Sequence, residues 1–169
     1  MKIFLIGFMG SGKTTTGKKL AKILNFDFYD LDQMIEQDEN KTIDSIFEED
    51  GEEKFRWLER NALKKSIITL SNSIISTGGG TPCFVNNMDL MNKSGITVYL
   101  ELDEKSILNR LLFAKESRPL IKKLSEDELR IFISEQLSIR KPFYQRSKIT
   151  FSALSPNYYQ LGELIKSLE

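Results

Sequence analysis

The sequence predicts an α/β protein, a three-layer α/β/α sandwich around a five-stranded parallel sheet. Short apolar runs alternate with segments of helical periodicity from one end of the chain to the other. Two of those runs close on glycine, at Gly7 and at Gly78-Gly79-Gly80, as strands do where the backbone must turn or be approached closely. No repeat, low-complexity tract or linker divides the 169 residues, so one domain over residues 1–169 is expected.

Each element has its own signal. Residues 3–8 form an apolar run that reads as a buried strand. The helix expected over 13–24 carries Leu20, Ile23 and Leu24 on one face. Residues 26–29 read as the second strand. Met34-Ile35 and then Ile43, Ile46 and Phe47 mark two short helices, the second starting near Thr42. A longer helix over 52–70 repeats Phe55, Leu58, Ala62 and Leu63 at helical spacing. The acidic run 48–53 between them reads as a solvated turn, with its charges near the next helix's N-terminus.

Residues 73–77 are the third strand, 88–91 a brief helix and 96–102 the fourth strand. A helix over 105–112 runs into a polar stretch at 114–118. Ser125 is placed to cap a helix from Glu126 to about Arg140, with Asp127 and Glu128 favourable in its first turn. Residues 149–151 give the fifth strand and 158–168 the last helix.

Bulk composition removes several function classes. The 24 basic residues balance the 24 acidic ones, which excludes the strongly basic footprint of a general nucleic-acid or membrane-surface binder. A single cysteine, Cys83, excludes an internal disulfide and a multi-cysteine zinc site. There is no histidine, so a general base must be a carboxylate, lysine, tyrosine or cysteine. The apolar N-terminal stretch is too short for a signal peptide, and nothing approaches a span of ~20 apolar residues, so a cytoplasmic location is expected.

Gly7-Phe8-Met9-Gly10-Ser11-Gly12-Lys13-Thr14 fits the pattern G-x-x-x-x-G-K-[ST], between a strand and a helix. Glycines in such a loop let several N–H groups converge on phosphate oxygens, and the helix adds its positive end. Lys13 is expected on the β- and γ-phosphates and the Thr14 hydroxyl on Mg²⁺. The motif alone indicates nucleotide and Mg²⁺ without choosing among kinase, GTPase and switch.

Asp30 and Asp32 follow at the end of strand two, where ligands sit in open α/β folds. One carboxylate could hold Mg²⁺ through water and the other accept a hydroxyl proton; solvated loop residues or helix caps are the plainer alternative. The glycine triplet closes strand three at the same end of the sheet. Arg56, Arg118 and Arg140 lie on three segments, and their forks suit carboxylates and phosphates.

Taken in order, these pieces resemble the shikimate kinases over essentially the whole chain. The resemblance is carried by the phosphate motif, then Asp30-Leu31-Asp32, then Ile46-Phe47 with Gly51-Glu52-Glu53-Lys54-Phe55-Arg56-Trp57-Leu58-Glu59. It continues through Ile75-Ser76-Thr77-Gly78-Gly79-Gly80, Arg118-Pro119-Leu120-Ile121 and Arg140-Lys141-Pro142-Phe143-Tyr144. Ile121, Ile139 and Phe143 depart from the commonest family residues.

The resemblance implies a P-loop kinase fold of the nucleoside-monophosphate-kinase type, with a substrate-binding region at about 31–60 and a lid at about 112–124. It implies transfer of the γ-phosphate of ATP to the 3-hydroxyl of shikimate, with Mg²⁺ as cofactor, by a monomer that binds no nucleic acid and no membrane. Gly10, Ser11, Gly12, Lys13, Thr14 and Thr15 would bind the ATP phosphates, Arg110 would lie near the adenine, and the last segment, with Pro156, would frame it. Thr14 and Asp30 would place the metal. Asp32 would bind the acceptor hydroxyl as base, with Lys13 and Arg118 on the transferring phosphate. Arg56 and Arg140 would grip the carboxylate, Glu59 would hold Arg56, Phe47 and Phe55 would wall the pocket, and Gly78, Gly79 and Gly80 would meet substrate through the backbone. A gluconate kinase, a nucleoside monophosphate kinase or a non-catalytic nucleotide switch would share the phosphate loop but not be expected to combine it with the other pieces.

Overall fold

In the computed structural model, residues 1–114, 121 and 123–168 are described. Five strands, β1 (Lys2–Ile6), β2 (Asp27–Asp30), β3 (Ser73–Ser76), β4 (Ile96–Glu101) and β5 (Ile149–Ser152), form one sheet in the order β2-β3-β1-β4-β5. Every pairing is parallel, with Leu5 opposite Ser76 on one side and Val98 on the other. Ile3, Phe4, Leu5 and Ile6 are all fully buried, as a central parallel strand covered on both faces requires.

The helices are α1 (Lys13–Leu24), α2 (Leu31–Glu39), α3 (Ile43–Thr69), α4 (Asn87–Ser94), α5 (Glu104–Ala114), α6 (Glu126–Tyr144) and α7 (Tyr158–Lys166). The step from β1 to β2 runs one way across the sheet, and the later steps run the other way. Right-handed crossovers therefore put α1 on one face, where α7 packs against it, and the remaining crossover helices on the opposite face. Leu20 and Ala21 of α1, Leu63 of α3, Leu111 of α5, Leu129 of α6 and Leu161 of α7 close the core over the two faces.

Local chemistry sets the ends. Asn25 stops α1 in the left-handed region at φ 55°, a conformation asparagine tolerates. Asp30 caps α2 by accepting the N–H of Asp32, and Thr42 caps α3 by accepting that of Ser45. Ser125 and Glu128 form a reciprocal capping box at the start of α6, the expected cap.

The structure differs from the sequence reading in three places that shape the site. Asp32 is not at the end of a strand; it lies in the first turn of α2, just past the cap. The two helices expected on either side of residues 48–53 form one run, α3, broken only at Gly51 (φ 81°, ψ 170°). The acidic run is therefore helical on both sides of a kink rather than a turn, its acidic residues are exposed as expected, and Lys41 binds Glu49 and Asp50 from it. Finally, α6 continues past Arg140 to Tyr144 with Pro142 inside it. Of the expected lid, residues 112–114 continue α5; residues 115–120 and 122 lie outside the described residues.

Candidate active site

The C-terminal ends of β1, β2 and β3 open into a cavity of about 840 Å³. Its wall carries most of the residues singled out in the sequence: Gly10, Gly12, Lys13, Thr14, Thr15, Asp30, Asp32, Phe47, Phe55, Arg56, the glycine triplet, Arg110 and Arg140. Residues spread from 10 to 140 in the chain thus meet at one end of the sheet, the usual ligand position in open α/β folds.

The phosphate loop forms the floor. Gly12 precedes α1 at φ 90°, a conformation that costs other residues strain, and no side chain caps the helix. The N–H groups and positive end of a helix at such a start give an anion a place to bind. The Lys13 ammonium donates to the carbonyls of Gly7 and Phe8, at 2.8 and 3.0 Å, which keeps its charge over the loop. Ser11 stands back from the wall. It is buried, its N–H donates to the Phe8 carbonyl, and its Oγ has no partner among the described residues.

Next to the loop are two aspartates with different environments. Asp30 accepts from the Thr14 hydroxyl at 3.2 Å through Oδ2 and from the Asp32 N–H at 3.1 Å through Oδ1. Asp32 Oδ1 is buried with no hydrogen-bond partner among the described residues. Burial, then the charges of Glu59 and Asp30, push the Asp32 carboxyl up to about 7, against the pull of Lys13. A carboxylate poised near neutrality in the wall of a cavity is suited to receive a proton from a bound hydroxyl.

At the other end stand two arginines. On α3, the Arg56 guanidinium donates through Nη1 to Glu59 at 2.6 Å, and through Nε and Nη2 to Glu52 at 3.3 and 3.0 Å. Glu59 is fully buried, and its other oxygen accepts from the Thr81 hydroxyl at 2.6 Å. On α6, Arg140 donates to Gln136 and lies 5.5 Å over the Phe8 ring. Phe47 and Phe55, from the two halves of α3, pack with ring centroids 4.5 Å apart. Together these groups make an apolar wall beside two guanidiniums, whose forks suit a carboxylate or phosphate on a small ligand.

The glycine triplet is shaped by these side chains. A Cβ on Gly78 would stand 2.3 Å from Glu59 Oε1, one on Gly79 3.2 Å from Arg140 Nη1, and one on Gly80 2.5 Å from Arg56 Nη1. Each glycine is thus a seat for one charged group. The resemblance has these glycines meet substrate through the backbone; the structure adds that they make room for the side chains around them.

Arg110 donates to the carbonyls of Gly10 and Ala153, joining the phosphate loop to the segment after β5. Arg118 lies outside the described residues. Cys83 is half-buried, and burial pushes its thiol up to about 11 even with Arg140 and Arg56 nearby, so it is no nucleophile at neutral pH. Sequence reasoning missed Thr81 and Tyr144. Tyr144 lies one helical turn beyond Arg140 and closes the Arg140-Lys141-Pro142-Phe143-Tyr144 piece, but nothing in the sequence assigned it a role. Among the described residues no three acidic or cysteine side chains cluster as a metal cage. The Thr14–Asp30 pair matches what Mg²⁺ takes from proteins, one or two oxygen ligands with phosphate and water completing the shell.

Comparison with known proteins agrees with this geometry. The model of the family described as shikimate kinase matches residues 9–167. A shikimate kinase of Parabacteroides distasonis is 49% identical over 152 residues, covering 90% of this chain and 87% of the relative. The crystal structure of shikimate kinase from Bacteroides thetaiotaomicron superposes with a TM-score of 0.90 at 42% identity, covering 99% of this chain and 97% of that one. The structure of the Acinetobacter baumannii shikimate kinase in complex with shikimate superposes at 0.86 with 32% identity, covering 99% of this chain and 91% of that one.

Proposed function

Because the chain belongs to the shikimate kinase family, we infer that it transfers the γ-phosphate of ATP to the 3-hydroxyl of shikimate, yielding shikimate 3-phosphate and ADP for aromatic amino-acid synthesis. One observation carries the reading: the phosphate loop, Asp32 and the Arg56–Arg140 pair line a single cavity.

The roles follow from the chemistry of the substrate. Arg56 and Arg140 take its carboxylate with their forks, and Phe47 and Phe55 cover the ring. Backbone groups of Gly78, Gly79 and Gly80 complete that end of the site. Asp32 accepts the proton of the attacking hydroxyl. The loop N–H groups of residues 10–15 bind the ATP phosphates, and Lys13 neutralises charge on the transferring group. Arg110 borders the adenine. From the family resemblance, Arg118 reaches the same phosphate from a lid at about 112–124, which would bring it in after both substrates bind and limit hydrolysis by water. Thr14 and Asp30 would hold Mg²⁺, which would supply further neutralisation of phosphate charge.

No helix among the described residues is long and apolar enough to cross a membrane. From the family resemblance, the proposed enzyme acts on small molecules in the cytoplasm, as a monomer of one domain. The test is coupled ADP release with Mg-ATP, adding shikimate, gluconate and nucleoside monophosphates in turn. Turnover with shikimate alone is expected. Equal turnover with another acceptor, or none with shikimate while ATP still binds, would refute the assignment and leave the fold.

A further inference from the structure

Two side chains that line no part of the cavity converge on the glycine segment beneath it. Tyr144 is fully buried, and its hydroxyl donates to the Gly79 carbonyl at 2.6 Å. Its ring packs on Tyr99 of β4, with centroids 5.1 Å apart. Burial pushes its hydroxyl above the usual tyrosine range, so it remains a proton donor at all working pH values. Thr81, also fully buried, donates to Glu59, and its backbone carbonyl accepts from Asn87, whose Oδ1 accepts from Arg60 of α3.

Both contacts end on a helix that carries an arginine. Tyr144 ties the segment to α6, one turn beyond Arg140, and Thr81 ties it through Glu59 to α3 and Arg56. Gly79 and Gly80 are the seats of those two guanidiniums. The segment from Gly78 to Thr81 is therefore a bridge between the two helices that carry these arginines, held by one buried hydroxyl at Gly79 and another at Thr81. Two forks serve one carboxylate only when their separation is held to a fraction of an ångström, and loose supports lose most of that gain.

We propose that Tyr144 and Thr81 are positioning residues that set the separation of Arg56 and Arg140, and through it the affinity for the substrate's carboxylate. This rests on the reading of the cavity as a shikimate site. Neither residue touches the reacting atoms, so the effect belongs to KM for the carboxylate substrate and not to the chemical step.

Steady-state kinetics of Tyr144→Phe, Thr81→Val and Thr81→Ser test it. Tyr144→Phe and Thr81→Val should each raise KM for shikimate about 5- to 15-fold, the scale of one lost buried hydrogen bond, with KM for ATP and kcat held within about twofold. Thr81→Ser keeps the hydroxyl and should restore the parent KM. With Arg140→Lys already in place, Tyr144→Phe should add much less than it does alone, because both act on the same contact. A general loss of packing would instead lower the melting temperature and the active fraction with KM unmoved. An unchanged shikimate KM in both hydroxyl deletions, or full additivity with Arg140→Lys, overturns the proposal. Should Tyr144→Phe fail to fold, the Thr81 pair decides alone. If the unmodified enzyme does not phosphorylate shikimate, the functional reading itself falls; if it does and the variants match it, only this inference falls.

Discussion

At Gly80 an added methyl group would stand 2.5–2.7 Å from the Arg56 guanidinium. The cheapest escape is to move that guanidinium, yet Glu59 and Glu52 hold it from two sides. Gly80→Ala should therefore act on binding more than on folding, raising KM for shikimate by about 10-fold or more, as a misplaced fork does. A normal KM would show that Arg56 does not set affinity. Asp32 carries a different signature. Its carboxyl titrates near 7 in the folded chain against 3.8 ordinarily, so kcat/KM should fall on the acid side of about pH 7. Asp32→Asn should cut turnover about 10²–10⁴-fold while ATP binding persists. The same shift has a stability consequence of defined sign. The folded state keeps this proton where the unfolded chain loses it, so the contribution is fully present below about pH 4 and is lost as pH rises through about 7. Asn removes that loss, and the variant should melt higher than the parent at pH 8 but not at pH 4. Equal melting curves at both pH values would mean that Asp32 is not held in a desolvating site.

The element with most at stake is α3, which carries Phe47 before its kink and Phe55, Arg56 and Glu59 after it. Gly51 sits at φ 81°, ψ 170°, a region open essentially to glycine alone, and nothing lies within 4 Å of the position a Cβ would take. Gly51→Ala should cost about 1–3 kcal/mol through backbone strain alone. Thermal melting measures that cost, and an unchanged melting temperature would show that the kink relaxes freely. This kink also marks where the sequence was readable and where it was not. Apolar spacing located both halves of α3, because burial on one face dictates 3.6-residue periodicity. It could not show that they form one element, since a single glycine can either end a helix or bend it. The phosphate loop was legible because its function demands glycines at fixed places. Asp30 was legible as a candidate, but the cap that sends Asp32 into α2 rests on a hydrogen bond two residues long that no periodicity reports. The supports at Thr81 and Tyr144 were hidden for another reason. Their value lies in what they touch across 22 and 65 residues of chain, and such pairings exist only once the fold brings them together.

On the scale of the molecule, five parallel strands hold a site whose reading rests on three regions, a loop after β1, the α2–α3 region after β2 and a basic segment of α6, with the glycine triplet after β3 and Arg110 of α5 completing the wall. No two of these suffice for the chemistry. The phosphate loop without the arginines would hold nucleotide but not an acceptor, and the arginines without Asp32 would hold an acceptor with nowhere for its proton to go. The sheet order has a further consequence, in the time taken to make the chain. β1 occupies the middle of the sheet, yet both its neighbours, β3 and β4, lie later in sequence. During synthesis at roughly 5–20 residues per second, the Ile3-Phe4-Leu5-Ile6 stretch waits on the order of several seconds before either partner strand is made. For that interval the most apolar strand of the protein has no sheet to join. Its lateral pairing therefore comes after the local contacts of the phosphate loop and α1, which lie in chain already made.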